Sequence, residues 1–317
     1  MSIEKKYNIL CATDDKYVPY CGIMLTSLFE NNINCQINVY LLTEELNLSN
    51  RSILKELSLK YNQEINIVIV DGEKLNGCPI KPEDHVSLAT YYRLLAPILV
   101  QQDIDRILYL DCDMVVNDSI EELYNIELKD TAVAAVLDED YITREKYKRL
   151  DYPEEKKYFN AGMLLINLSY WRKNRVMERC FDYIHNNPER ITFHDQDTLN
   201  YVLQDEKILI STRNNLQTGF LYIHNKYELK MMNEIIDSIK SPMIIHYTGP
   251  NKPWRKGSRH PFCKKFLYYK KISLWSDHPL INARRNWKEK LIKVINSIIW
   301  ATGLKKRPQT YIIDTQD

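Results

Sequence analysis

Ile107-Leu-Tyr-Leu-Asp-Cys-Asp-Met-Val-Val116 places four apolar residues, two aspartates one residue apart, and three further apolar residues in one line. The run Arg106–Leu110 has the length of a buried strand. Asp111 and Asp113 then stand at its carboxyl end, the edge of an open α/β sheet where ligands bind. At spacing i, i+2, both carboxylates approach one ion if the backbone turns there. Hard oxygen donors suit Mg²⁺ or Mn²⁺, which also accept phosphate oxygens. Two aspartates can equally do no more than stop a strand, so the pair has to be read with its surroundings.

The surroundings are α/β. Tyr7–Ala12 reads as a buried strand, 17–31 as a helix, Gln36–Leu42 as a strand, 46–61 as an amphipathic helix and Ile65–Val70 as a strand. That alternation predicts a parallel doubly wound sheet. Ser87–Leu95, Tyr170–Asn186 and Asp195–Leu203 read as helices, and Thr131–Leu137, Met163–Leu168 and Met243–Tyr247 as further strands. One α/β domain is expected over residues 1–283.

Three other segments carry chemistry. In 244–254, IIHYTGPNKPW, His246 ends a strand, Gly249 permits close backbone approach, and Lys252 offers a cation for a phosphate. Imidazole is a ligand that Mn²⁺ accepts, although a lone histidine is more often a satisfied core residue. In 11–17, CATDDKY, Asp14 and Asp15 follow the first strand and are placed to accept hydrogen bonds from a base or ribose; an ordinary polar turn is the alternative. Neither GxGxxG nor GxxxxGK[ST] occurs, so backbone does not cradle the phosphates in the Rossmann or P-loop manner. A metal then has to do that work. Last, Asn160 precedes an apolar strand, and Asp195-Gln196-Asp197 opens a helix, where an Asp also serves as a cap.

Composition narrows the remaining classes. Of the 317 residues, 44% are hydrophobic, enough for a packed core. The net charge of +1 gives no electrostatic case for nucleic acid. Seven scattered cysteines without a CxxC pair read as reduced thiols, the pattern of a cytosolic protein. No apolar run is long enough to span a bilayer, and the N-terminus lacks a signal-peptide pattern. The charge is lopsided: 284–317 holds eight Lys or Arg against three Asp or Glu. Within 284–307, Trp287, Leu291, Val294, Ile295, Ile298 and Ala301 fall at helical spacing. A basic amphipathic helix of this kind fits an anionic membrane surface, or else a core-packing helix with a solvated face. Residues 308–317 form a short tail.

CATDDKY, HVSLATYYRL, RILYLDCDMVV, FNAGMLLINL, HDQDTLN and HYTGPNKPW, taken in this order, resemble glycosyltransferase family 8, and within it the bacterial lipo-oligosaccharide α-galactosyltransferases. The resemblance runs from about residue 7 to 256. It implies a GT-A fold, a mixed Rossmann-like sheet flanked by helices, and retaining transfer of galactose or glucose from a UDP-sugar. It also implies that Asp111, Asp113 and His246 ligate Mn²⁺, with Mg²⁺ as the alternative ion. The donor would be lined by Ala12, Thr13, Asp14, Asp15, Tyr17, Val86, Arg93, Asp111, Cys112, Asn160, Asp195, Gln196, Gly249 and Lys252. Lys16 stands where related enzymes often carry Asn. Retention poses a question that the sequence leaves open. The candidates beneath the anomeric carbon are Gln196 and the flanking Asp195 and Asp197, and the resemblance favours front-face attack without a covalent adduct. The expected acceptor is a lipid-linked or lipopolysaccharide saccharide, and the expected location is the inner face of the cytoplasmic membrane. A sugar nucleotidyltransferase and a non-catalytic sugar-binding module are the competing readings.

Overall fold

The computed structural model describes residues 5–80, 87–222 and 227–282, together with Ile295, Ile299 and Thr302. Val86, almost all of the basic segment 284–307 and the tail 308–317 lie outside the described residues.

The first half alternates as expected: β1 (Lys6–Ala12), α1 (Val18–Glu30), β2 (Gln36–Thr43), α2 (Leu48–Tyr61) and β3 (Glu64–Ile69). Leu88–Leu95 is a 3₁₀ turn run that leads into α3 (Ala96–Leu99), where a regular α-helix was expected. Then follow β4 (Arg106–Leu110), β5 (Met114–Val116), α4 (Glu121–Tyr124), β6 (Val133–Leu137), α5 (Arg144–Leu150) and β7 (Phe159–Asn167). The helix expected over 170–186 is two, α6 (Leu168–Lys173) and α7 (Val176–Asn186). Arg175 between them is left-handed at φ 52°, and the Asn174 amide turns back to the Tyr170 carbonyl. The chain continues with α8 (His194–Val202), β8 (Lys207–Ile210), β9 (Leu216–Gln217), α9 (Leu229–Lys240), β10 (Ile244–His246) and α10 (Cys263–Ile272). Of these, β8, β9, α9 and α10 were not foreseen; the first two are short and half-buried or paired at a single edge.

The main sheet runs β3-β2-β1-β4-β7-β6-β8. Its first four strands are parallel, but β7 runs antiparallel to both β4 and β6, so the sheet is mixed rather than wholly parallel. Alternate side chains go to opposite faces. Ile9, Leu108, Leu110, Met163 and Leu165 pack under α1 and α10, while Leu10, Ile107, Tyr109, Leu164 and Ile166 pack under α6, α7 and α8. The result is a three-layer sandwich with a core on each side.

A second sheet, β5-β10-β9, continues where β4 stops. The Asp111-Cys112-Asp113 segment is thus the link between two sheets. Its outer neighbours are fixed by strand register: Leu110 faces Met163, and Met114 faces His246.

Candidate active site

Strand order decides which side chains meet at this link. Because β10 pairs antiparallel with β5, His246 arrives beside Asp113, and the Tyr247 N–H donates to the Asp113 carbonyl at 3.0 Å. Because β7 pairs with β4, the Asp111 N–H donates to the Gly162 carbonyl at 2.8 Å. One oxygen each of Asp111 and Asp113 and one nitrogen of His246 lie within 4.8 Å of one another. His246 Nε2 is 3.2 Å from Asp113 Oδ1 and 3.9 Å from Asp111 Oδ2.

The donor and acceptor pattern around this trio points to a cation. Asn215, fully buried, gives its amide N–H to Asn160 Oδ1 at 2.9 Å, which turns its own Oδ1 toward His246 Nδ1 at 3.0 Å. With Nδ1 as donor, Nε2 presents a lone pair to two carboxylates; the tautomer is assigned from this network. Three acceptors converging without a donor repel one another unless an ion sits between them. A ligating imidazole held from behind by an amide oxygen is the usual second layer of a metal centre. The donor set therefore fits a hard or borderline divalent ion.

The cations are arranged behind the trio. Burial disfavours the charge on Asp113, but the Lys252 ammonium beside it outweighs that and holds its carboxyl well below the usual range. The Lys252 ammonium bonds Asp113 Oδ2 and also donates to the Tyr247 carbonyl at 2.6 Å. Arg93, only 4% exposed, lies over the Tyr109 ring and donates from Nη2 to Asp111 Oδ1 at 2.9 Å. Its Nε donates to the Thr90 carbonyl at 3.1 Å and sits 2.9 Å from Asp195 Oδ2. That geometry makes an ion pair but no hydrogen bond, so Asp195 Oδ2 is a buried acceptor with no donor. Burial raises the Asp195 carboxyl above its ordinary range, against the pull of Arg93.

Gly162 explains why the trio can close. A Cβ at this position would lie 2.3 Å from His246 Cε1 and 2.8 Å from Asp111 Oδ2. The β6–β7 register slips here, from Ala135 opposite Leu164 to Val136 opposite Asn160, an irregularity of the kind that re-aims side chains at a site. Asn160 Oδ1 accepts from Gly162 N at 3.0 Å.

A family model described as "Glycosyl transferase family 8" matches residues 8–257. The chain belongs to glycosyltransferase family 8. A lipopolysaccharide 1,2-glucosyltransferase of Escherichia coli is 29% identical to it, over 90% of this chain and 84% of its own length. A lipopolysaccharide 1,3-galactosyltransferase of Salmonella typhimurium is 28% identical, over 87% and 81%. The solved structure of an active-site mutant of LgtC matches with a TM-score of 0.77 at 25% identity, over 84% of this chain and 96% of that one. The fold is accordingly GT-A.

Within this glycosyltransferase the remaining expected residues divide. Gln196, half-buried, accepts from Ala161 N at 2.9 Å and donates to Asp138 Oδ2 at 3.2 Å, so it stands beside Asn160 at the site. Ala12 and Cys112 touch where β1 and β4 end, the Cys112 thiol lying 3.1 Å from the Ala12 carbonyl. Thr13 is buried, and its hydroxyl bonds the Asp14 carbonyl at 3.1 Å. Tyr17 is near Asp113: burial pushes its phenol up, and the Asp113 charge adds to that. Gly249 is left-handed at φ 69° with open space around its Cα, so it serves the turn.

Three of the expected residues are held by local structure. Asp197 is no candidate nucleophile: it is fully buried, and Arg149, Tyr158 and the N–H groups of Thr192 and Phe193 saturate it. Asp15 is spent on Asn47 and Asn50, tying the β1–α1 turn to the start of α2. Asp14 Oδ1 caps the turn, taking the N–H groups of Lys16 and Tyr17 at 3.0 and 2.9 Å. Residues missed from sequence are Gly162, Asn215 and Asp138. Asn215 lies in a stretch with no periodic pattern to mark it, whereas Asp138 stands at the end of an apolar strand as Asp111 does.

Proposed function

We propose that this enzyme transfers a hexose, galactose or glucose, from a UDP-sugar to a saccharide acceptor with retention of configuration, assisted by Mn²⁺. The observation that carries the proposal is the convergence of Asp111 Oδ2, Asp113 Oδ1 and His246 Nε2, with Asn215 fixing the imidazole so that three acceptors meet. Bound by these residues, the ion supplies Lewis-acid stabilisation of the departing diphosphate. Lys252 adds a positive charge on the same side. Arg93 steadies Asp111, and Asp195, whose Oδ2 is ion-paired to Arg93 but accepts no hydrogen bond, joins the amides of Asn160 and Gln196 in offering polar groups for sugar hydroxyls. The carboxylates around the pocket are committed: Asp195 to Thr90 and Arg93, Asp138 to Lys146, Asp197 to Arg149. That commitment favours front-face departure, in which the leaving phosphate takes the acceptor proton, over a covalent adduct. A glycosyl adduct trapped on any of the three would overturn this part.

The relatives named for lipopolysaccharide sugars support a lipid-linked or lipopolysaccharide acceptor and a place on the inner face of the cytoplasmic membrane. Among the described residues no helix is long and apolar enough to cross a membrane. Attachment through 284–307 rests on the basic amphipathic sequence; truncation after residue 283 should release the protein from anionic vesicles, and unchanged binding would refute it.

The functional test is UDP release from a panel of UDP-sugars with Mn²⁺, in wild type and Asp113→Ala. Release that is lost in the variant supports the proposal. Full activity in the variant ends the metal assignment, pyrophosphate release would mark nucleotidyl transfer, and neither product would mark a binding module.

A further inference from the structure

Lys146 enters the site just described only through Asp138, and it is 5% exposed. It projects from α5 onto the end of β6, with Nζ 2.6 Å from Asp138 Oδ1. The rings of Tyr158 and Phe193 lie 4.4 and 5.3 Å from the same ammonium. A lysine this deep is costly unless its partner is worth holding. The partner's second oxygen is where the site begins: Asp138 Oδ2 takes Gln196 Nε2 at 3.2 Å and Asn160 Nδ2 at 3.4 Å.

The polarity of these contacts runs one way. An ammonium can only donate, so its carboxylate partner is kept as an acceptor. Gln196 and Asn160 must then show Asp138 their N–H₂ ends. Gln196 Oε1 is thereby turned to the Ala161 N–H at 2.9 Å, and Asn160 Oδ1 to Gly162 N and Asn215 Nδ2. The Asn160 end is fixed a second time by Gly162 N–H. The Gln196 end has Ala161 N–H and the Tyr158 hydroxyl besides Asp138.

We propose that Lys146 is a positioning residue: paired with Asp138, it keeps that carboxylate an acceptor and so fixes the orientation of the Gln196 amide, and with it Asn160, against the donor sugar. This rests on the reading of Gln196 and Asn160 as sugar-contacting groups. Lys146 acts through Asp138, whose Oδ1 lies 2.6 Å from its Nζ. The other titratable groups that sense Asp138 are Glu139 next to it and the phenols of Tyr147, Tyr158 and Tyr227, all of which burial pushes upward. No phenol among them ionises near neutral pH.

The test is Lys146→Met, an apolar stem of similar length, alongside Lys146→Arg and the double variant Lys146→Met with Asp138→Asn. Without its cation, and left with the Asp140 N–H at 3.1 Å and the two amides, a carboxylate in so dry a place takes up a proton more readily as pH falls and then offers a donor to amides that are themselves donors. We expect the kcat of Lys146→Met to fall about tenfold at pH 6 relative to wild type, with KM changed little, and to recover toward pH 8. The arginine variant should follow wild type, and the double variant should lose the added pH dependence. A Lys146→Met profile parallel to wild type from pH 6 to 8 would overturn the proposal. So would equal losses at every pH, which mark a packing role. An independent readout is the side-chain amide resonance pair of Gln196, assigned by difference from Gln196→Ala. It should shift between pH 8 and 6 in Lys146→Met and stay fixed in wild type; equal behaviour in the two proteins also overturns the proposal. If wild-type protein turns over no UDP-sugar, the site reading has failed and the resonance still decides the role of Lys146.

Discussion

Gly162→Ala should cost this enzyme its metal affinity before it costs the fold. The added Cβ would sit 2.3 Å from His246 Cε1, about 1.4 Å short of an ordinary carbon–carbon contact. It would also meet His246 Nδ1 at 2.9 Å and Asp111 Oδ2 at 2.8 Å. The imidazole cannot swing freely, because it is 4% exposed and tied to Asn215 Oδ1 at 3.0 Å. Nor can β7 withdraw cheaply, since the Gly162 carbonyl takes the Asp111 N–H and Met163 is paired with Leu110. Overpacking of this kind costs about 1–3 kcal/mol of stability. A displacement of a reacting or ligating group by about 1 Å costs on the order of 10²-fold in rate. The assay is Mn²⁺ titration followed by electron paramagnetic resonance, with UDP release and a thermal melt on the same preparation. The expected result is a melt a few degrees lower, Mn²⁺ binding weakened at least tenfold, and turnover near background. Wild-type Mn²⁺ affinity in a folded Gly162→Ala protein would refute the reasoning, because it would show that His246 and Asp111 do not hold the ion together.

Asn215→Ala removes the acceptor behind His246, and Mn²⁺ affinity should drop about 10- to 100-fold with the ligands intact; unchanged affinity in the same titration would deny Asn215 that role. Asp197→Asn should lower stability by about 3 kcal/mol in urea unfolding, because it breaks a buried pair with Arg149, while the folded fraction keeps its turnover; loss of turnover without loss of stability would return Asp197 to the catalytic list. Burial, with Lys252 nearby, pushes His260 down to about 3, so the folded protein keeps it neutral where the unfolded chain, near 6.5, takes up a proton. Stability from this group is therefore full above pH 6.5 and lost as pH falls toward 3, about 2 kcal/mol between pH 7 and pH 5. His260→Gln should flatten that part of the pH–stability curve, and an unchanged slope would remove His260 as its source.

Much of the sheet was legible because its signals are local. The apolar runs 7–12, 36–42, 65–70 and 106–110 are each long enough to be one strand and are each closed by polar residues. The antiparallel entry of β7 was not legible, since Met163–Leu168 is equally apolar whichever way it runs. The break at Asn174–Arg175 was hidden inside a continuous helical pattern. At the site, Asp15 and Asp197 show how residue type misleads: both are acidic and adjacent to segments that matter, and both are consumed by neighbours that hold turns in place.

By itself the sequence determined that two carboxylates end one strand, that an imidazole ends another with a lysine in the turn after it, and that no glycine-rich loop takes the phosphates, because chain direction and apolar periodicity are properties of short segments. Only the tertiary structure decided which atoms of those groups face one another. His246 takes its orientation from Asn215, Asn215 from Asn160, and Asp113 its charge from Lys252, across separations of 31, 55 and 139 residues. The direction in which a buried amide points is set by what its partner can donate or accept, and those partners are chosen by strand order and register rather than by sequence neighbours.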